Sequence, residues 1–337
     1  MFQWGVFFTM SDRLRDFTFI LIAVFLSSVS LRLTKGIMIP FILSVFLAFI
    51  LEPMIAWIKR RFKIGGGLAI LLLCILMIGL SAIFFLTLSS SVRQLIENAN
   101  VYEQRFTSLI TKSVDLMSHF DAGFDREELK GLVKELPIFS ALKTISNTVV
   151  KSVSDFFLVA IFTIFILSGP KIKLPNTEVW SRINKSVRTY LVTKFVTSAA
   201  TGVLTAIILK IVNLDMALMF GLLAFILNFI PTFGSIFATL LPIPIVLLQF
   251  SNPILILVSI GLPGLVQFTI GNVLEPKIMG KNLDLHPVTV LMSLMFWGVL
   301  WGIPGMLLAT PITVIIKIVL ESQESTQGFA NGMAGRF

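Results

Sequence analysis

The chain has 337 residues, of which 56% are hydrophobic and 13% charged, and its mean hydropathy is +0.93. A soluble domain carries about 25% charged residues, so this composition excludes a purely soluble or disordered protein. The formal charge of +9 sits in short Lys and Arg clusters between apolar runs, the pattern of flanks facing anionic lipid and the cytoplasm, and no nucleic acid is expected as a partner.

A single cysteine, Cys74, and two histidines, His119 and His286, leave no intrachain disulfide and no zinc or thiolate cluster. Met10-Ser-Asp-Arg reads as a natural start. No small-x-small cleavage site follows the apolar run 17–31, which is therefore expected as an uncleaved first span. A span needs about 20 residues, and further spans are expected at 37–58 and 65–89. Residues 1–89 thus read as N-terminal membrane helices.

From 90 to 144 the composition turns ordinary. Asp125-Arg-Glu-Glu128 followed by Leu129, Leu132, Val133 and Leu136 gives an N-cap acid, a reciprocal Glu and helical apolar spacing. This polar insert is expected to hold amphipathic helices outside the membrane. A fourth span at 145–167 stops at Gly169-Pro170. In the basic stretch 171–194, Trp180, Ile183, Val187, Tyr190 and Leu191 share one helical face, which predicts a helix lying in the membrane interface. A fifth span at 195–212 completes the block 145–212.

The segment 213–321 is the most informative. Residues 216–230 are apolar, break at Pro231-Thr-Phe-Gly234, and resume over 235–250. Each half reaches roughly 23 Å, short of the ~30 Å hydrocarbon core. The layout recurs over 288–320 around Pro304-Gly305. Ile230-Pro231, Ala238-Thr239 and Pro242-Ile243 return in order as Ile303-Pro304, Ala309-Thr310 and Pro311-Ile312. One span, 254–269, separates the units, so hairpins that enter and leave on one side would enter from opposite sides. That predicts an inverted repeat of re-entrant hairpins forming a transport core, with broken backbone facing protein or a water-filled cavity. Two pairs of full helices kinked at proline are the alternative. Residues 322–337 read as a flexible tail.

The fold expected is an all-α polytopic membrane protein of about eight hydrophobic segments, about six spanning helices plus two broken hairpins, with a helical insert. Arg13, Arg15, the cluster 59–63, the basic stretch 171–194, Lys277 and Lys281 fall on the presumed inside, and Arg32, Lys35 and Lys210 outside. Both termini are then cytoplasmic.

Intramembrane carboxylates are costly unless paired or bound to a cation. Glu275, with Gln267 and Asn272 on nearby turns, is a gating or ion-coupling candidate, the alternative being a headgroup-level helix end paired with Lys277. Glu52 is a weaker candidate of the same kind. Asn228, before the first break, could ligate a cation or cap exposed backbone. Lys194 and Asp155 read as snorkelling span ends. Thr232, Ser235 and Thr310 could satisfy local carbonyls. No metal site beyond a transient Na+ is expected. Gly280-Lys281 is followed by Asn282 and lacks the rest of a phosphate loop, and no H-E-x-x-H or G-x-S-x-G occurs. An enzyme is not expected.

Asn228-Phe-Ile-Pro-Thr-Phe-Gly234, Leu274-Glu-Pro-Lys-Ile-Met-Gly280, Leu285-His-Pro-Val288 and Trp301-Gly-Ile-Pro-Gly-Met-Leu-Leu-Ala-Thr-Pro311, in that order, resemble the AI-2E family of bacterial transporters, also called the autoinducer-2 exporter or PerM-like family. Leu51-Glu-Pro53 before a basic loop is also similar. Phe233 departs from the residue many relatives carry there. The resemblance implies a secondary transporter of the bacterial inner membrane without a prosthetic group or other cofactor, assembled as a homo-oligomer, a pentamer. It also implies export of autoinducer-2 or a like polar metabolite, or exchange of Na+ for H+. The alternative is a non-transporting scaffold or channel whose 90–144 insert binds a partner.

Overall fold

A computed structural model describes residues 12–98, 101–102, 104–108, 155–169, 178–279 and 284–336. Every regular element among the described residues is a helix. The amphipathic helix expected near 125–136 lies outside them, as do Gly280 and Lys281.

Helix α1 (Asp12–Leu33) and helix α2 (Lys35–Phe62) are separated by Thr34 alone. An antiparallel helix pair needs a loop of about 2–5 residues. The Thr34 N–H donates to the Ser30 carbonyl and the Met38 N–H to the Thr34 carbonyl, which carries the helical pattern across the joint. The two helices make one bent rod, where separate antiparallel spans were expected. Helix α3 (Gly66–Glu97) follows a short link in which Lys63 takes a left-handed φ of 54°, and it runs beyond the expected limit at residue 89. Bulky side chains such as Leu21, Phe25, Leu71 and Leu86 stand exposed on α1 and α3, a surface only lipid or a further apolar partner would cover.

After helix α4 (Asp155–Ser168) comes the axis of the fold, helix α5 (Glu178–Ile211). At 1.5 Å per residue it is about 51 Å long, more than the hydrocarbon core requires. The interfacial helix expected within 171–194 is, over its described part, the first half of this helix. Ile183, Val187, Tyr190 and Leu191 are buried against the protein interior, so that face does not lie on lipid. The apolar pattern matched burial at four of its five residues, Trp180 being 38% exposed, but not what provides it.

The first hairpin comprises α6 (Ala217–Leu227), α7 (Phe233–Leu240) and α8 (Ile243–Gln249). The turn between α6 and α7 is tight enough that a Cβ on Gly234 would lie 1.7 Å from the Leu227 carbonyl oxygen. Helix α9 (Pro253–Thr269) continues through a π turn (Ile270–Leu274) into α10 (Glu275–Met279). The second hairpin pairs α11 (Pro287–Trp301) with α12 (Ile303–Glu321). Its break falls at Gly302, whose φ of 67° and ψ of −143° suit glycine. Pro304 and Gly305 lie in the first turn of α12 instead, where proline is tolerated because first-turn N–H groups have no helical acceptor. Gly305 matches Gly234 in role: a Cβ there would lie 2.0 Å from the Trp297 carbonyl oxygen.

Each hairpin closes on itself. The Asp215 N–H donates to Gln249 Oε1 at 2.8 Å and Gln249 Nε2 to the Asn213 carbonyl at 2.7 Å, so the first hairpin begins and ends at the C-terminal end of α5. Lys317 of α12 binds Asp284, just before α11, at 2.9 Å, and Glu321 binds Arg182 at 2.8 Å, so the second begins and ends at the N-terminal end of α5. The expected flexible tail is instead folded over residues 322–336. Helix α13 (Gln327–Met333) buries Ala330, and the Met333 carbonyl accepts from the His286 N–H and the Thr289 hydroxyl, each at 2.9 Å. Among the described residues, five helices are long and apolar enough to cross a membrane, with shorter apolar helices beside them. The chain is an all-α, multi-pass membrane protein.

Candidate functional site

The buried face of α5 changes character midway. Ile183, Val187 and Leu191 are followed on the same stripe by Lys194, Thr197, Ser198, Thr201 and Thr205, all buried. Gly202 of α5 and Gly221 of α6 lie so close that a Cβ on either would sit 2.7 Å from the other's carbonyl oxygen. Small residues at this crossing bring the first hairpin onto the polar half of the stripe.

Three successive turns of α5, about 6 Å apart, each meet a different element. Tyr190 faces Thr310 of α12, and both are buried. Lys194 Nζ lies 2.5 Å from Glu275 Oε1, with side chains only 5% and 13% exposed. Ser198 Oγ accepts from Asn228 Nδ2 at 3.1 Å, and both residues are buried. The second hairpin, the α9–α10 helix and the tip of the first hairpin thus converge on one face.

The π turn delivers Glu275 to Lys194. The Glu275 N–H reaches back to the Ile270 carbonyl, a five-residue step. Pro276 has no N–H and its ring would crowd the carbonyl one turn earlier, which the wider turn accommodates. Turns of this kind recur at functional sites. On α9, Ser259, Pro263 and Gln267 form a buried face, and α9 touches α5. Thr197 and Thr201 satisfy their hydroxyls on carbonyls of their own helix. The hydroxyls of Thr205 and Ser259 and both amide atoms of Gln267 have no hydrogen-bond partner among the described residues. Each such group costs about 1–3 kcal/mol when left unsatisfied, so this seam offers donors and acceptors to a polar guest.

Of the residues singled out from sequence, Gln267 and Asn228 are buried and Glu275 is part-buried on or beside this seam, while Asn272 is exposed and donates to the Phe268 carbonyl. Glu52 stands outside it, 3.9 Å from the half-buried Arg188. Glu275 pairs with Lys194, and Lys277 is exposed. Sequence reasoning missed Lys194, Tyr190 and Thr310 as members of the site. The signal was present in the 3–4 residue spacing of polar side chains through an otherwise apolar helix.

Polar clusters mark both ends of α5. At its C-terminal end Asp215 accepts from Tyr102 at 2.7 Å and from Asn98 at 3.1 Å. Burial, with the hydrogen bond to Asp215 and its charge, pushes the Tyr102 phenol above its ordinary value, so it remains a donor. At the N-terminal end Lys317 joins Asp284 and Glu321. Burial pushes the Asp284 carboxyl up, but the hydrogen bond and charge of Lys317 and the nearby Arg336 more than offset this and hold it below its ordinary value. No group of three metal-ligating His, Cys, Asp or Glu side chains gathers among the described residues.

Residues 18–324 match the family described as AI-2E family transporter. The chain is 30% identical over 313 residues to the AI-2 transport protein TqsA of Escherichia coli K12, which spans 89% of this chain and 90% of that protein. A Haemophilus influenzae protein named "Putative transport protein" is 31% identical over 328 residues, covering 91% of this chain and 93% of its own. Escherichia coli YhhT, with the same title, is 28% identical over 301 residues, covering 85% and 84%. These are transport proteins and not enzymes. A family match across most of the chain, on a frame of membrane-crossing helices, makes this protein a member of the AI-2E transporter family.

Proposed function

We propose that the polar face of α5 is the translocation path of a secondary transporter in the bacterial cytoplasmic membrane. It carries a small polar solute outward, and the Lys194–Glu275 pair couples that movement to a cation. The observation that carries this reading is the pair itself, buried at 2.5 Å one turn from the Asn228–Ser198 contact. A buried ion pair is a poor way to stabilise a fold, since apolar residues of like volume do as well or better. A proton or Na+ on Glu275 competes with Lys194 for the carboxylate. Its arrival frees the ammonium, and its departure restores the pair.

The two hairpins act as re-entrant elements of an inverted repeat, entering from opposite sides with their tips near the middle of α5. Their ends, gathered at opposite ends of α5, support this. The name of TqsA supports an autoinducer-2-like cargo, and the family resemblance supports a pentameric homo-oligomer. Na+ for H+ exchange through Glu275 is a second reading, favoured by the placement of a carboxylate among neutral polar groups. The C-terminus, on the side of the basic N-terminal end of α5, faces the cytoplasm in this scheme. In a Cys74→Ser background, cysteines at Asp121 and Ser181 should label from opposite sides.

The test is flux in liposomes with autoinducer-2, sodium and proton reporters read in parallel. Saturable solute flux that depends on an ion gradient supports the coupled exporter, and sodium and proton countermovement without solute supports the exchanger. No flux from assembled protein overturns both and leaves the scaffold that captures a partner through residues 90–144.

A further inference from the structure

The open end of each hairpin is tied down by a segment from outside both hairpins, and the two ties differ in chemistry. At the first hairpin the ties come from the end of α3, Tyr102 and Arg105. Tyr102 and Asn98 donate to Asp215, Gln94 Oε1 accepts from the Met216 N–H at 3.1 Å, and Arg105 donates to the carbonyls of Leu248 and Gln249. These bonds hold a link in which Asn213 and Met216 take left-handed φ values of 55° and 57°. Such a backbone persists only where its surroundings determine it.

At the second hairpin the tie is ionic, and its hub is the buried Lys317. It bonds Asp284 and Glu321, each at 2.9 Å. Asp284 also binds Arg336 beyond α13 at 2.6 Å, and Glu321 binds Arg182 of α5 at 2.8 Å. The two arginines are exposed, at 63% and 54%, so the outer arms of this network are open to screening by salt.

We propose that these are two independent latches: a hydrogen-bonded one through which the end of α3, Tyr102 and Arg105 hold the first hairpin shut, and a salt-sensitive one through which Lys317 and the segment after α12 hold the second. Alternating access requires one end to open while the other stays closed, and latches of unlike chemistry open separately. The proposal builds on the hairpin arrangement and is independent of the cargo and of the role of Glu275.

The test reads thiol exposure and no flux, so its failure is distinct from failure of the transport reading. Ala217, at the base of the first hairpin, and Thr313, on α12, are both buried. Each is replaced by cysteine in the full-length Cys74→Ser protein in liposomes and exposed to a small water-soluble thiol reagent on both faces. Raising choline chloride from about 20 mM to about 500 mM at constant Na+ and pH, where the screening length drops severalfold, should speed labelling of Thr313→Cys by about fivefold and leave Ala217→Cys within about twofold. Tyr102→Phe combined with Asp215→Asn should do the reverse. The salt arm needs no latch variant and decides the question even if that double variant fails to assemble. A salt-independent rate at Thr313→Cys, or rates that rise together at both positions, would overturn the proposal.

Discussion

Glu275 and Lys194 lie 81 residues apart in sequence and 2.5 Å apart in space. Removing Lys194 leaves the Glu275 carboxylate, only 13% exposed, without its partner. Lys194→Ala should therefore cost about 3–5 kcal/mol, seen as a lowered midpoint of thermal unfolding in detergent. Lys194→Met with Glu275→Met removes both charges and should recover most of that loss. A single variant as stable as the parent would mean that the carboxylate is solvated without its partner. The carboxylate was legible as an acid in an apolar run. Lys194 was not, because the change from basic to apolar composition at residue 195 looks like a helix boundary. The helix runs straight through it, which puts Lys194 on the same stripe as Tyr190 and Ser198.

The hairpins depend on two glycines that let the backbone turn back on itself. Gly234→Ala and Gly305→Ala would drive a Cβ to 1.7 and 2.0 Å from the carbonyl oxygens of Leu227 and Trp297. Because those atoms are backbone, each substitution should cost about 3 kcal/mol or more, lowering thermal stability and the yield of assembled protein. Gly261 of α9 has open space around its Cβ position, so Gly261→Ala should be neutral or gain up to about 1 kcal/mol from helix propensity. Equal tolerance at all three positions would contradict the tight turns. Two short apolar halves around a Pro and Gly signal made both helix interruptions readable. The site of the second break was misplaced because Pro304 is a more conspicuous signal than Gly302, although proline suits a first helical turn and φ of 67° suits glycine. The bend at Thr34 reads as a loop between two spans because Arg32 and Lys35 interrupt the apolar runs there, although the helical hydrogen bonds continue through it.

On the scale of the whole molecule, the Lys317 network joins α5, both ends of the second hairpin and the segment after α12. It was illegible because its members are distant in sequence, and because a Gly, Ser and Asn rich stretch reads as flexible when its docking partner near His286 is unknown. The folded Asp284 carboxyl is held below its ordinary value of 3.8. Its contribution to stability is therefore complete above that value and is lost as pH falls through the depressed one. Asp284→Asn should flatten the drop in thermal midpoint below about pH 4, and an unchanged profile would remove Asp284 from the network. The central claim is that the α5 seam moves a polar solute under control of the Lys194–Glu275 pair. It is tested most directly by the ion-gradient dependence of solute flux in well-assembled Glu275→Gln protein in liposomes. The account predicts that this dependence is lost while the oligomer still forms. Parental gradient dependence in that variant would contradict it.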